Sequence, residues 1–135
     1  MISLSNSTTQ TLAAGESLTF DTVNLKTGCA ECHRKNTASV KLCAKPAIYE
    51  VHFSANVTNT TNTDAVQLSM QLSGDTLTDT TVISTPSAAS AINNVSTSTL
   101  IKNTCCDYDR VCITNTGTVA VTVSPNATLF VKRVA

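Results

Sequence analysis

The stretch AIYEVHFSANVT, residues 47–58, decides the fold. Tyr49, Val51, Phe53, Ala55 and Val57 fall on one side of a two-residue repeat, and Glu50, His52, Ser54 and Asn56 fall on the other. Side chains of an extended chain alternate between faces. This spacing therefore predicts a strand with one buried and one wet face, and excludes a helix, whose apolar positions recur every three or four residues. Outward from it, AVQLSMQL (65–72) repeats the pattern with Val66, Leu68, Met70 and Leu72 inward and Gln67, Ser69 and Gln71 outward. Between them lies TNTTNTD (58–64), which is turn chemistry.

Towards the C-terminus, TVAVTVS (118–124) places Val119, Val121 and Val123 on one face, and ATLFVKRVA (127–135) alternates Leu129 and Val131 with Phe130 and Lys132. Weaker strand signals are SLTFDTVNL (17–25), SVKLCA (39–44), TLTDTTVIS (76–84) and YDRVCIT (108–114). The segment STPSAASAINNVSTSTL (84–100) is the least legible, a strand or a long loop, and residues 58–64 and 84–99 are read as surface loops. Roughly eight to ten short strands with polar turns between them predict an all-β antiparallel sandwich or barrel.

The 135 residues fit one domain, 1–135. The charged fraction is 13% and the formal net charge is zero, so no electrostatic footprint for nucleic acid or an anionic membrane is present. Residues 1–10, MISLSNSTTQ, lack the basic and apolar regions of a secretory signal, and no run of about 18 apolar residues occurs. The expected product is soluble and made in a cytoplasm. Six cysteines fit poorly there, because thiols stay reduced in that compartment. A protein that folds inside a cell and works outside it without using the secretion route resolves the conflict.

GCAECHRK (28–35) contains Cys29, Cys32 and His33 in the spacing Cys-x-x-Cys-His. Haem attachment requires export and an axial partner, for which only His52, Met1 and Met70 offer themselves, and a redox-active pair requires a helix after the first thiol, which the sequence does not predict. Zinc accepts Cys-x-x-Cys as half a site. Cys29, Cys32 and Cys43 are its candidate ligands, with Cys105, Cys106 or Cys112 as the fourth, yet no second Cys-x-x-Cys is present. The alternatives are disulfides, within or between subunits, among Cys29, Cys32, Cys43, Cys105, Cys106 and Cys112, or inert thiols; six cysteines allow 15 pairings. Under each of these the cysteines staple the structure and carry out no reaction.

No catalytic signature is found, and the residue type suited to act as a base near neutral pH occurs only at His33 and His52. Asp107 and Asp109 flank Tyr108 in CCDYDR (105–110) and read as a turn rather than a calcium loop. Asn-x-Ser/Thr sequons at Asn6, Asn56, Asn59, Asn94 and Asn126 read as chance in an Asn- and Thr-rich chain.

The order of these features resembles the tumour necrosis factor-like, or complement globular-head, jelly roll in a compact phage-encoded form. The resemblance rests on AAGESLTF (13–20), AIYEVHFSANV, VQLSMQLSG (66–74) and VCITNTGTVAVTVSPNATLFVKRV (111–134), with Asn115 and Gly117 in the closing hairpin. The sequence departs from the pattern in a cysteine-bearing insertion at about 26–46 and at Cys105 and Cys106.

The resemblance implies a two-sheet jelly-roll sandwich that forms a homotrimer and is not an enzyme; no cofactor is expected, with a structural zinc on the cysteines left open by their spacing. As a signal-less trimer the chain resembles a virion protein, decorating a capsid or forming part of a head or tail fibre, with itself and capsid or fibre proteins as partners. It would be made in a host cytoplasm and released by lysis. The alternative is a receptor- or glycan-binding recognition module, against which the lack of aromatics weighs. The resemblance further implies that the strands near Cys43 and near Cys112 lie toward opposite edges of one sheet, so that a bond between the two cysteine clusters joins neighbouring subunits.

Overall fold

A computed structural model describes residues 1–104 and 109–135 of the chain. It is an all-β sandwich of two antiparallel sheets, the class that the alternation predicts, and a jelly roll as the resemblance implies. Sheet A joins β1 (Ile2–Ser5), β2 (Gln10–Leu12), β3 (Thr22–Lys26), β6 (Ala47–Thr58), β10 (Asn93–Asn103), β12 (Val121–Val123) and β13 (Thr128–Arg133). Sheet B joins β4 (Glu31–His33), β5 (Val40–Leu42), β7 (Val66–Leu72), β8 (Asp75–Thr76), β9 (Val82–Ser84) and β11 (Asp109–Thr114).

The 12-residue strand β6 is the axis of sheet A. One edge pairs along its length with β10, from Asn93↔Val57 to Asn103↔Ala47, and the other pairs with β12 and then β13. Its inward residues Tyr49, Val51, Phe53, Ala55 and Val57 are buried as the two-residue repeat requires. They meet Leu18, Phe20, Val40, Leu42, Leu68, Met70, Val111 and Ile113 from the facing layer, and Leu4, Leu129 and Val131 from their own. At β7 the repeat holds for Val66, Leu68 and Met70, but Leu72 is only half-buried and Ser69, expected outward, is buried with its hydroxyl bonded to Thr81 and Thr116.

The hairpin from β7 to β8 turns at Ser73 and Gly74, both at positive φ (51° and 90°), between the paired residues Leu72 and Asp75. Two such residues give the turn whose twist matches the strands it joins. At one end of the sandwich the buried Asn115 is a hub. Its amide nitrogen donates to the carbonyls of Leu12 and Val119, its Oδ1 accepts the Gly117 N–H, and its backbone exchanges hydrogen bonds with Gly15 and Glu16.

Two sequence readings are corrected. Residues 93–99, read as loop, open β10, and the short strands β1 and β2 were not anticipated from residues 1–12 at all. The strands near Cys43 and Cys112 are not at opposite edges: β5 and β11 are neighbours, with Arg110↔Lys41 and Val111↔Val40. The cysteine-bearing stretch supplies β4 and β5, a hairpin at the edge of sheet B.

Candidate functional site

Two surfaces carry the chemistry that the sequence singles out. The first is the thiol hairpin. In β4, Glu31 is buried, Cys32 is exposed and His33 is half-buried, so strand alternation points Cys32 away from the core. Lys41, between buried Val40 and Leu42, shares that outer face in register with Cys32, and the Cys43 N–H donates to the Ala30 carbonyl, so Cys43 sits diagonally across from Cys32. The Cys43 thiol donates to Cys32 Sγ at 3.0 Å. Burial pushes the Cys43 thiol above its ordinary pKa, and the hydrogen bond to Cys32 adds to the shift.

His33 does not complete this cluster. Its Nδ1 lies 3.0 Å from the Ser39 carbonyl and its Nε2 3.2 Å from that of Phe20, so both ring nitrogens are spent on the backbone. Cys29 is exposed and lines a hollow of about 460 Å³ with Cys43, Ala44 and Arg133. Cys112, half-buried on the outer face of β11, contacts the hydroxyls of Ser17 (3.8 Å) and Thr114 (3.5 Å). Among the described residues, no three His, Cys, Asp or Glu side chains come together as a metal site. Cys105, Cys106, Asp107 and Tyr108 lie outside the described residues.

The hairpin is anchored from beneath, by residues that sequence reasoning missed. Glu31 accepts the Met1 ammonium at 2.5 Å and the Arg133 backbone N–H at 2.8 Å. Tyr49 Oη donates to the Ala30 carbonyl and accepts the Ala44 N–H, while the buried Asn103 amide donates to the carbonyls of Leu42 and Ala44. Burial raises the Tyr49 phenol above its usual pKa. A buried glutamate in a polar-looking stretch is invisible to a hydropathy reading; only the alternation Glu31–Cys32–His33 hints at which residue turns inward.

The second surface is the outer face of sheet A. The register sets three rows across β10, β6 and β13: Leu100–Glu50–Lys132, Ser98–His52–Phe130 and Ser96–Ser54–Thr128. His52 Nε2 meets Glu50 Oε1 at 2.6 Å, and its ring lies 5.7 Å from that of Phe130. The small side chains leave an open trough of about 320 Å³ between His52, Ser54, Ser96, Ser98 and Thr128. Beside it β10 pairs with β6 alone and leaves its other edge unpaired. The three most exposed large aliphatics among the described residues lie in this region: Ile83 (63%) in β9, Ile92 (62%) just before β10, and Leu100 (66%) on the outer face of β10. The Asn93 amide bonded to Ser84 Oγ holds β9 beside the start of β10.

Two sequons are structural. The side-chain amides of Asn6 and Asn59 are buried and spent on the backbone, Asn6 accepting the Ala127 N–H and Asn59 the N–H groups of Thr61 and Asn62.

No family model and no curated protein sequence matches the chain. Solved structures do. Eiger TNF from S. frugiperda superposes with a TM-score of 0.72 at 10% identity, over 99% of this chain and 91% of the other. The globular domain of zebrafish complement 1qA protein gives 0.65 at 16%, over 96% and 94%. The PRD1 vertex protein P5 gives 0.52 at 21%, over 95% and 93%. At these identities the likeness is one of fold: the chain is similar throughout its length to the tumour necrosis factor and complement globular-head jelly rolls.

Proposed function

We propose that this chain is a non-enzymatic assembly module, a homotrimer that serves as a virion component decorating a capsid or forming part of a head or tail fibre. The observation that carries the reading is the open edge of β10, an 11-residue strand paired on one side only, with Ile92 just before it, Leu100 on its outer face and Ile83 in the nearby β9, each more than 60% exposed. A long apolar edge left open is an aggregation hazard, and a closed ring of identical copies removes it. The edge of one copy fits the outer face of sheet A of the next. That face offers Phe130, Leu25 and a serine-floored trough, with Glu50, Lys102 and Lys132 as charged residues around it. The fold class agrees, and one structural neighbour is a vertex protein.

The recognition-module reading finds less support. Loop 58–64 spends its polar groups on itself through Asn59 and has no aromatic side chain for stacking a sugar. Sedimentation velocity at micromolar concentration tests the assembly: the wild-type chain runs as a trimer, and Leu100→Glu runs as a monomer with unchanged far-ultraviolet circular dichroism. A wild-type monomer overturns the proposal. Mass spectrometry of purified particles tests the virion role.

A further inference from the structure

We propose that Cys32 and Cys43 are an intramolecular redox pair, closed to a disulfide by exchange with a low-molecular-weight disulfide such as oxidised glutathione, and that this bond locks the edge hairpin of sheet B. The inference is independent of the trimer, since it concerns contacts within one chain.

Three observations carry it. The sulfurs already stand 3.0 Å apart, on the same outer face of two hydrogen-bonded strands, so they need approach by only about 1 Å to bond. The backbone beneath them is held by the Cys43 N–H to Ala30 carbonyl bond and by Tyr49 Oη, which grips Ala30, two before Cys32, and Ala44, next to Cys43. Cys112 is placed otherwise, and Cys29, which shares a hollow with Cys43, is separated from Cys32 by the variants below. Cys112 is on the neighbouring strand, but Val111↔Val40 puts it about level with Ser39, four residues from Cys43 and thus roughly 13 Å away along the strand. That exceeds the reach of a disulfide.

The difference in exposure orders the steps. Cys32 is exposed and Cys43 half-buried. The Cys32 thiolate attacks one sulfur of oxidised glutathione; the glutathione S–S bond breaks, and one glutathione leaves as a thiolate that takes up the proton Cys32 lost. Cys43, losing its proton in turn, attacks the Cys32 sulfur of the mixed disulfide and displaces the second glutathione. Two protein thiols are oxidised by two electrons to one S–S bond, and one glutathione disulfide is reduced to two thiols. The raised pKa of Cys43 suits the resolving role, in which proximity replaces intrinsic reactivity.

The product ties β4, a three-residue strand paired on one side only, to the residue that follows β5. So short an edge strand opens readily, and the bond removes that opening.

The test equilibrates the full chain with oxidised glutathione, alkylates the remaining thiols and maps the tryptic peptides without reduction. Cleavage after Lys26, Arg34 and Lys41 separates the two cysteines. The expected product is peptide 27–34 joined to the peptide that starts at residue 42, lighter than their sum by two hydrogens. Peptide 27–34 also contains Cys29, so the assignment rests on variants: Cys29→Ser keeps the link, and Cys32→Ser and Cys43→Ser each lose it. In the wild-type chain, hydrogen exchange at the β4 amides slows on oxidation, a readout that needs no variant. A link lost in Cys29→Ser and kept in Cys32→Ser overturns the proposal. So do thiols that all remain alkylatable, a link that appears only between chains, or zinc retained by the purified protein and released when Cys32 and Cys43 are alkylated.

Discussion

Strands β6 and β10 lie side by side over eleven paired residues, yet they are built on different rules. The inward positions of β6 are Ala47, Tyr49, Val51, Phe53, Ala55 and Val57, all buried; those of β10 are Asn93, Val95, Thr97, Thr99, Ile101 and Asn103, with Asn93 and both threonines only half-buried. Its most apolar outward residue, Leu100, is the most exposed of the large aliphatic side chains among the described residues. A central strand is paid for by its own core, whereas an edge strand carries apolar surface outward and is complete only when something covers it. Sheet B finishes its edge at β4 in another way, with a pair of thiols.

This contrast can be broken by experiment, beginning with the largest effect. Phe53→Ala in β6 removes a ring that is 2% exposed and lowers unfolding free energy by about 3–5 kcal/mol in urea titrations. Reducing the Cys32–Cys43 disulfide lowers stability by about 2–3 kcal/mol, the value for closing a loop of this length, and Cys32→Ser abolishes the difference between oxidised and reduced samples. At the inward face of β10, Val95→Ala costs only about 1.5 kcal/mol, for two methyl groups. A cost equal to that of Phe53→Ala would erase the distinction between centre and edge.

The smallest effects are in the pH limbs. Asp21 is held below the ordinary carboxyl pKa, first by the Ser7 hydroxyl and then by Thr22. The unfolded chain therefore takes up this proton first as the pH falls, and the contribution of Asp21, complete above the ordinary value of 3.8, is lost as pH falls through the folded pKa. Asp21→Asn flattens that acid limb. Tyr49 behaves in the opposite sense. Its phenol is raised above 10.0 by burial, so its contribution is intact below that value and declines as pH rises through the folded pKa. A Tyr49→Phe chain loses this alkaline limb in thermal melts, along with the hydrogen bonds to Ala30 and Ala44.

Strand β6 was legible because hydropathy and exposure share the same repeat. Strand β10 was not, because Thr97 and Thr99 face in and Leu100 faces out, so the hydropathy of NNVSTSTLIKN does not alternate with its burial. The strands β1 and β2 are four and three residues long, too short for a repeat to register. The thiols were visible as residues but their pairing was not, because it depends on the β4–β5 register and on β5 lying next to β11. The Cys-x-x-Cys-His spacing misleads for a physical reason. On a strand, adjacent residues face apart, so Cys32 and His33 cannot converge on one ligand.

The Asn115 hub has a further consequence. Because one side chain holds the carbonyls of Leu12 and Val119 while its backbone holds Gly15 and Glu16, the connections at residues 13–16 and 116–120 are fastened to a common post. Ala14, Thr118 and Ala120 project from it into solvent. Evolution or an engineer can therefore rewrite the chemistry of that tip while its shape is dictated from below, and a mutation of Asn115 alone would set both connections loose together.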